Sequence, residues 1–306
     1  MGRIAEALKR AQQERQRRLD PEAPPAQIAD GAWGRPASRH ATRDPAPARD
    51  ALLSGGIVPP PPLHQPFAVT ADPLGPEAVD PRALVLHEPA GEIAEKYRSL
   101  RTRLLTNNPG GGARVFAVAS TLRREGRTTT VANLGFCLAE LRHLRVAVID
   151  LDFRQRGLTR MLSAEHRPGL TEVLSGEKQL SEVFLPVVRD NLHLVPAGAV
   201  GPASPSDLLA GDQIHDVFRQ IHERYHYALV DTPPIHTCAD IGLIGPLCHS
   251  VLVVVRMNHT PEPLARRCVK TLQANRMTVA GCILTQAPED AIHAGDQQDI
   301  FAAGPV

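Results

Sequence analysis

Six short, nearly uninterrupted apolar runs dominate the chain between residues 115 and 284: VFAVA (115–119), VAVID (146–150), LHLVPA (192–197), ALVD (228–231), VLVVV (251–255) and AGCIL (280–284). Runs of this kind, separated by segments with helical periodicity, are strands buried on both faces, and that burial requires a parallel sheet covered by helices on either side. Just upstream, Ile93, Tyr97, Leu100 and Leu104 fall at i, i+4, i+7 and i+11, the pattern of a helix packed on a core. The expected fold class is therefore α/β, with a doubly wound, mainly parallel sheet.

Composition limits how much of the chain joins that domain. About half of the 28 prolines lie between Asp20 and Ala90, in stretches such as DPAPA and PPPP that have no apolar periodicity, so 20–85 is expected to be a disordered linker dispensable for ligand binding. Before it, Ile4, Ala7, Leu8 and Ala11 share one helix face among arginines and lysine, giving a short basic amphipathic helix over 1–19 suited to docking on a partner. A folded domain over 86–286 and a flexible tail over 287–306 complete the expected organisation. With 34 basic against 33 acidic residues, no global field marks a nucleic-acid binder. No apolar run of about 18 residues and no signal-peptide core is visible, so a cytoplasmic location is expected. Five cysteines without CxxC spacing form neither a disulfide framework nor a zinc cage.

The first strand runs into Ser120-Thr121-Leu122-Arg123-Arg124-Glu125-Gly126-Arg127-Thr128-Thr129 and then a helix. Strand, turn and helix in that order set up a phosphate cradle built from backbone NH groups and a helix amino terminus. Arg124, Glu125, Gly126, Arg127, Thr128 and Thr129 are the candidate phosphate-binding residues, and the match to G-x-x-x-x-G-K-[ST] is partial, with Thr121 and Arg127 in the first glycine and lysine slots. Two strand-end motifs strengthen it. VAVIDLDFR places Asp150 and Asp152, and ALVDTPP places Asp231, at carboxyl ends of strands, where open α/β sheets bind ligands. Thr128, Asp150, Asp152 and Asp231 are thus candidate ligands of a magnesium ion carried with ATP.

The succession EKYRSLRTRLL, VASTLRREGRTTTVANLGFCLAE, VAVIDLDFR, PGLTEVLSGE, NLHLVPAG, PSDLLAG and YHYALVDTPP resembles the bacterial tyrosine kinases of capsule and exopolysaccharide biosynthesis over roughly residues 85 to 286. Those kinases share the P-loop class of MinD and ParA, so the resemblance implies that fold. It also implies transfer of phosphate from Mg-ATP to protein tyrosine, with Arg127, Asp150 and Asp152 in catalytic roles and Asp152 aiding deprotonation of the acceptor. Glu95, Arg98 and Arg101 match the family's E-x-x-R-x-x-R motif of ring-like self-association, and at 100° per residue these charges point away from the apolar stripe. The resemblance further implies recruitment to the inner face of the membrane by a separate transmembrane adaptor, a chain-length regulator of polysaccharide export.

This chain departs from the family at the loop, where P-G-E-G-K-[ST] becomes Arg123-Arg124-Glu125-Gly126-Arg127-Thr128. Arginine keeps the lysine's charge but is a larger planar fork, and Arg124 stands where a glycine takes positive φ. The resulting expectation is binding with slowed transfer, the limit being a pseudokinase scaffold. A MinD-like or ParA-like positioning ATPase is the rival reading, disfavoured because its second loop lysine corresponds here to Leu122. The 287–306 tail has no tyrosine, which excludes tail autophosphorylation there. His222-Glu223-Arg224-Tyr225-His226 matches H-E-x-x-H, but its helix should end near Arg224 and take His226 off the shared face.

Overall fold

The computed structural model describes residues 63–65, 67, 71–199, 201, 204–235, 240–287 and 300–302. The basic helix expected over 1–19 and most of the 20–85 segment lie outside them. In chain order the elements are α1 (Leu84–His87), α2 (Glu92–Thr106), β1 (Arg114–Ser120), α3 (Arg127–Ala139), β2 (Val146–Asp150), α4 (Gly157–Met161), α5 (Leu170–Leu174), β3 (Leu185–Val187) and β4 (Arg189–Val195). They continue with α6 (Pro205–Ala210), α7 (Gln213–Arg224), β5 (Tyr227–Asp231), α8 (Ile241–Ile244), β6 (Ser250–Arg256), α9 (Glu262–Ala274), β7 (Val279–Thr285) and β8 (Ile300–Ala302). One sheet runs β3-β4-β2-β5-β1-β6-β7-β8, parallel except for the antiparallel edge pair β3/β4.

Strand periodicity divides the core between the two faces. Val146 and Val148 of β2 pack with Tyr97, Leu100 and Leu134 from α2 and α3, whereas Ala147 and Ile149 pack with Ile214, Val217, Phe218 and Ile221 from α7. Because both alternating sets are buried, the strand reads as a continuous apolar run. The register places Asp150 opposite Asp231, and β1 beside β5 delivers Ser120 next to them.

The packed domain begins earlier than residue 86. Leu74, Val79, Ala83 and Val85 are buried in the main core, Leu74 bridges to Val187, and Asn133 of α3 holds the strap by donating to the Arg82 carbonyl (2.9 Å) and accepting from Val85 N (2.9 Å). Farther upstream, the Phe67 ring stacks on Phe184 at 4.8 Å between centroids. The tail also contributes, since β8 pairs in parallel with β7. Proline-rich composition hid the strap because its anchors are spaced for an irregular turn, without helical or strand period.

The charges of α2 lie off its apolar stripe, and two of them meet α3. Arg98 donates to Glu140 at the end of α3 through Nε (3.0 Å) and Nη2 (2.6 Å), and Arg101 Nη1 donates to Glu140 (2.6 Å) and to the Cys137 carbonyl (2.7 Å). Of the triplet, only Glu95 is well exposed, at 65% of its side chain. Arg101 therefore serves intramolecular packing. Burial alone would raise the Glu140 carboxyl, but hydrogen bonds from Arg98 and Arg101 hold it below its ordinary value. A depressed carboxylate contributes stability above its unfolded pKa and loses it as pH falls through the folded value. Glu140→Ala is expected to cost about 1–2 kcal/mol at pH 7 and to flatten the acid limb of melting curves recorded from neutral to acidic pH. A mutant as stable as the wild type would show the cluster to be energetically idle.

Candidate functional site

After β1, the chain turns through Thr121–Glu125 and enters α3 at Gly126, whose φ of 96° and ψ of 14° are left-handed. A Cβ there would also lie 3.2 Å from Thr285 Cγ2, a tight contact that adds to the left-handed backbone's preference for glycine. Glu125 is buried, and its carboxylate faces inward, accepting from Leu122 N (2.9 Å) and from the Thr260 hydroxyl, while its carbonyl accepts from Thr285 Oγ1 (2.8 Å). Glu125 is thus a brace of the loop. Arg124 is exposed, and its φ of 62° is left-handed, a conformation that costs a side-chain-bearing residue about 1–2 kcal/mol.

The next two residues meet the strand-end carboxylates. Thr128 Oγ1 donates to Asp231 Oδ2 at 2.7 Å. The Arg127 guanidinium lies among three groups, with Nη1 donating to Ser120 Oγ (2.6 Å), Nη2 to Asp152 Oδ2 (3.3 Å), and Nε 3.5 Å from Asp231 Oδ1. Asp231 Oδ1 is buried yet accepts no hydrogen bond among the described residues. Burial pushes the Asp231 carboxyl above its ordinary value, with Arg127 and Thr128 pulling the other way. Asp150 is raised by burial and then by Asp231.

The geometry separates the three aspartates. Asp150 is fully buried, its Oδ1 accepting from Asp152 N (3.1 Å) and its Oδ2 from Thr159 N and Oγ1 (both 2.8 Å). Both oxygens accept hydrogen bonds that fix the turn after β2, and Thr159, unremarked in the sequence, supplies two of them. Asp152 also accepts from Gln155 N at 3.0 Å. Among the described residues no three His, Cys, Asp or Glu side chains are grouped to share a metal. Thr128 and Asp231, by contrast, are hard oxygen donors in contact, with one carboxylate oxygen that accepts no hydrogen bond among the described residues, and they suit magnesium, which takes few protein ligands and completes its shell with water and phosphate oxygens.

An open cavity of about 250 Å³ faces the loop, lined by Arg82, Arg124, Arg127, Thr128, Thr129 and Arg256 among others. Its wall is strongly cationic and suits a polyanion. The tyrosines are elsewhere: Tyr97, Tyr225 and Tyr227 are at most 3% exposed, and burial pushes their hydroxyls up. The H-E-x-x-H residues do not converge, because α7 ends at Arg224 and His226 Nδ1 accepts from Arg145 N at 2.9 Å, while His222 stacks on His249.

Residues 113–276, just over half of the chain, match the family described as AAA domain. The chain is 29% identical over 205 residues to the succinoglycan biosynthesis transport protein ExoP of Rhizobium meliloti, covering 66% of this chain and 26% of ExoP. It is 25% identical over 208 residues to the tyrosine-protein kinase CpsD of Streptococcus agalactiae, covering 68% of this chain and 88% of CpsD. The kinase domain of the Escherichia coli tyrosine kinase ETK superposes with a TM-score of 0.62 at 24% identity, over 66% of this chain and 78% of that domain, a likeness of fold. Relative to ExoP, the chain spans about a quarter of the partner's length.

Proposed function

Because the chain belongs to the AAA domain family of P-loop proteins, we propose that it binds Mg-ATP at the Thr121–Thr129 loop and transfers the terminal phosphoryl group to tyrosine on another protein of a polysaccharide-assembly system. The observation that carries this reading is the contact between Thr128 and Asp231 at the foot of the loop, with Arg127 set over Asp152. In this reading the loop NH groups and the amino terminus of α3 bind phosphate, Thr128 and Asp231 hold the ion, and Arg127 contacts phosphate oxygens. Bound magnesium supplies charge neutralisation on the transferring group. Asp152 orients the acceptor hydroxyl and takes its proton, leaving Asp150 to hold Asp152 in place.

Burial of all three described tyrosines favours an acceptor in trans, and membrane recruitment through a separate transmembrane adaptor completes the proposal. No helix among the described residues is long and apolar enough to cross a membrane. Self-association belongs to the same proposal, with exposed Glu95 as its contact and the two arginines acting from within the fold. A slowed catalyst is the second reading, favoured by the way Arg127 ties together the two carboxylates that transfer requires. The test is a thermal melt with millimolar ATP, with and without magnesium, paired with ADP release and phosphotyrosine formation on a tyrosine-containing polymer. Magnesium-dependent stabilisation is expected, since a ligand raises stability by its preference for the folded state. A wild type indifferent to Mg-ATP removes the nucleotide reading altogether.

A further inference from the structure

Two arginines from outside the loop finish the cavity wall, and they are held differently. Arg256 is committed to the protein, its Nε donating to Gln286 Oε1 (2.8 Å) and its Nη1 to the Arg124 carbonyl (3.0 Å), so it braces the loop. Arg82 sits on the strap before α1 with a rigid backbone and an exchangeable side chain. Its carbonyl is fixed by fully buried Asn133, and neighbouring Asp80 N donates to the Met161 carbonyl at 2.9 Å. The side chain is 61% exposed, and its guanidinium forks onto Asp80, its one side-chain partner among the described residues, through Nε (2.9 Å) and Nη2 (2.8 Å).

A solvent-accessible pair of that kind contributes little to stability, so a multiply charged phosphate can take the fork from Asp80. Bidentate Arg–phosphate contacts are stronger than an exposed carboxylate pair and favour the planar guanidinium over ammonium. The one acid among the lining residues, Glu125, has its carboxylate turned into the loop, so the wall presents the guanidinium groups of Arg82, Arg124, Arg127 and Arg256, of which Arg82 and Arg127 are paired with aspartates.

We propose that Arg82 is a substrate-binding residue that leaves Asp80 and forks onto the terminal phosphate of a nucleoside triphosphate seated in the loop. This rests on the nucleotide-binding reading and extends it to the strap, which becomes part of the site.

The experiment titrates the 306-residue chain with fluorescent N-methylanthraniloyl derivatives of ATP and of ADP in magnesium buffer, comparing wild type with Arg82→Ala, Arg82→Gln and Arg82→Lys. Both neutral variants should weaken ATP binding by about five- to tenfold and ADP binding by less than about twofold. Arg82→Lys should recover only part of the loss. Ligand-free melting temperatures should stay within about 1 °C of wild type, because the side chain is exposed. Unchanged ATP affinity in Arg82→Ala and Arg82→Gln overturns the assignment while leaving nucleotide binding intact. Equal losses for ATP and ADP also overturn it, since they describe a diffuse field without contact to the last phosphate. A wild type that binds neither nucleotide brings down the underlying reading instead.

Discussion

Asp231→Asn should make the ligand-free protein more stable and at the same time erase its response to magnesium. The carboxylate is fully buried, one of its oxygens accepts no hydrogen bond among the described residues, and its nearest cation, Arg127, is 3.5 Å away and shared with Asp152. Keeping a charge in that position costs more than the Thr128 hydrogen bond returns. A neutral isostere removes the charge and keeps an oxygen for Thr128, so a gain of about 1–2 kcal/mol is expected, read as a rise of a few degrees in melting temperature. Function should move the other way. Magnesium-dependent stabilisation by ATP should disappear, and ADP release should fall at least about a hundredfold, equivalent to roughly 2.7 kcal/mol of barrier. Loss of stability together with an unchanged magnesium response would make Asp231 a structural residue and sink its assignment to the ion.

VAVID is β2 to the residue, and ALVD, VLVVV and AGCIL fall inside β5, β6 and β7, because strands buried on both faces announce themselves as apolar runs. The edges are silent. β3 is three residues with a central proline, held antiparallel by its neighbour, and neither its length nor its composition separates it from a loop. The positions of Asp150 and Asp231 at strand ends were readable for the same reason as the strands, whereas their hydrogen-bond partners were not. Asp150 and Asp152 look equivalent in VAVIDLDFR until Thr159, nine residues on, claims Asp150. In α2 the failure is one of perspective: helical periodicity correctly puts Arg98 and Arg101 off the core stripe, but the partner waiting there, Glu140, belongs to another helix.

Restoring the loop with Arg124→Gly and Arg127→Lys together is expected to raise turnover by at least about tenfold, equivalent to roughly 1.4 kcal/mol of barrier. Two separate effects combine. Glycine at 124 removes the penalty of a left-handed φ of 62° at a side-chain-bearing residue, and it lets the backbone approach phosphate more closely. Lysine at 127 replaces a fork that engages Ser120, Asp152 and Asp231 at once with a single ammonium, so Asp152 is released to work on an acceptor hydroxyl and Asp231 to bind the ion. Arg127→Lys should change ground-state affinity little, because arginine and lysine both carry the charge that attracts phosphate, and loss of the exposed Arg124 charge should weaken it only modestly, whereas transition-state contacts depend on where the charge at 127 can sit. The single changes separate the causes: Arg124→Gly should raise the melting temperature with a modest gain in rate, and Arg127→Lys should carry most of the rate. ADP release and phosphotyrosine formation on a partner protein, each assayed with and without a membrane adaptor, give the comparison. Should the restored loop run slower than the natural one, the guanidinium bridging Ser120, Asp152 and Asp231 is itself adapted to the transition state, and Arg127 is this protein's own solution to phosphoryl transfer.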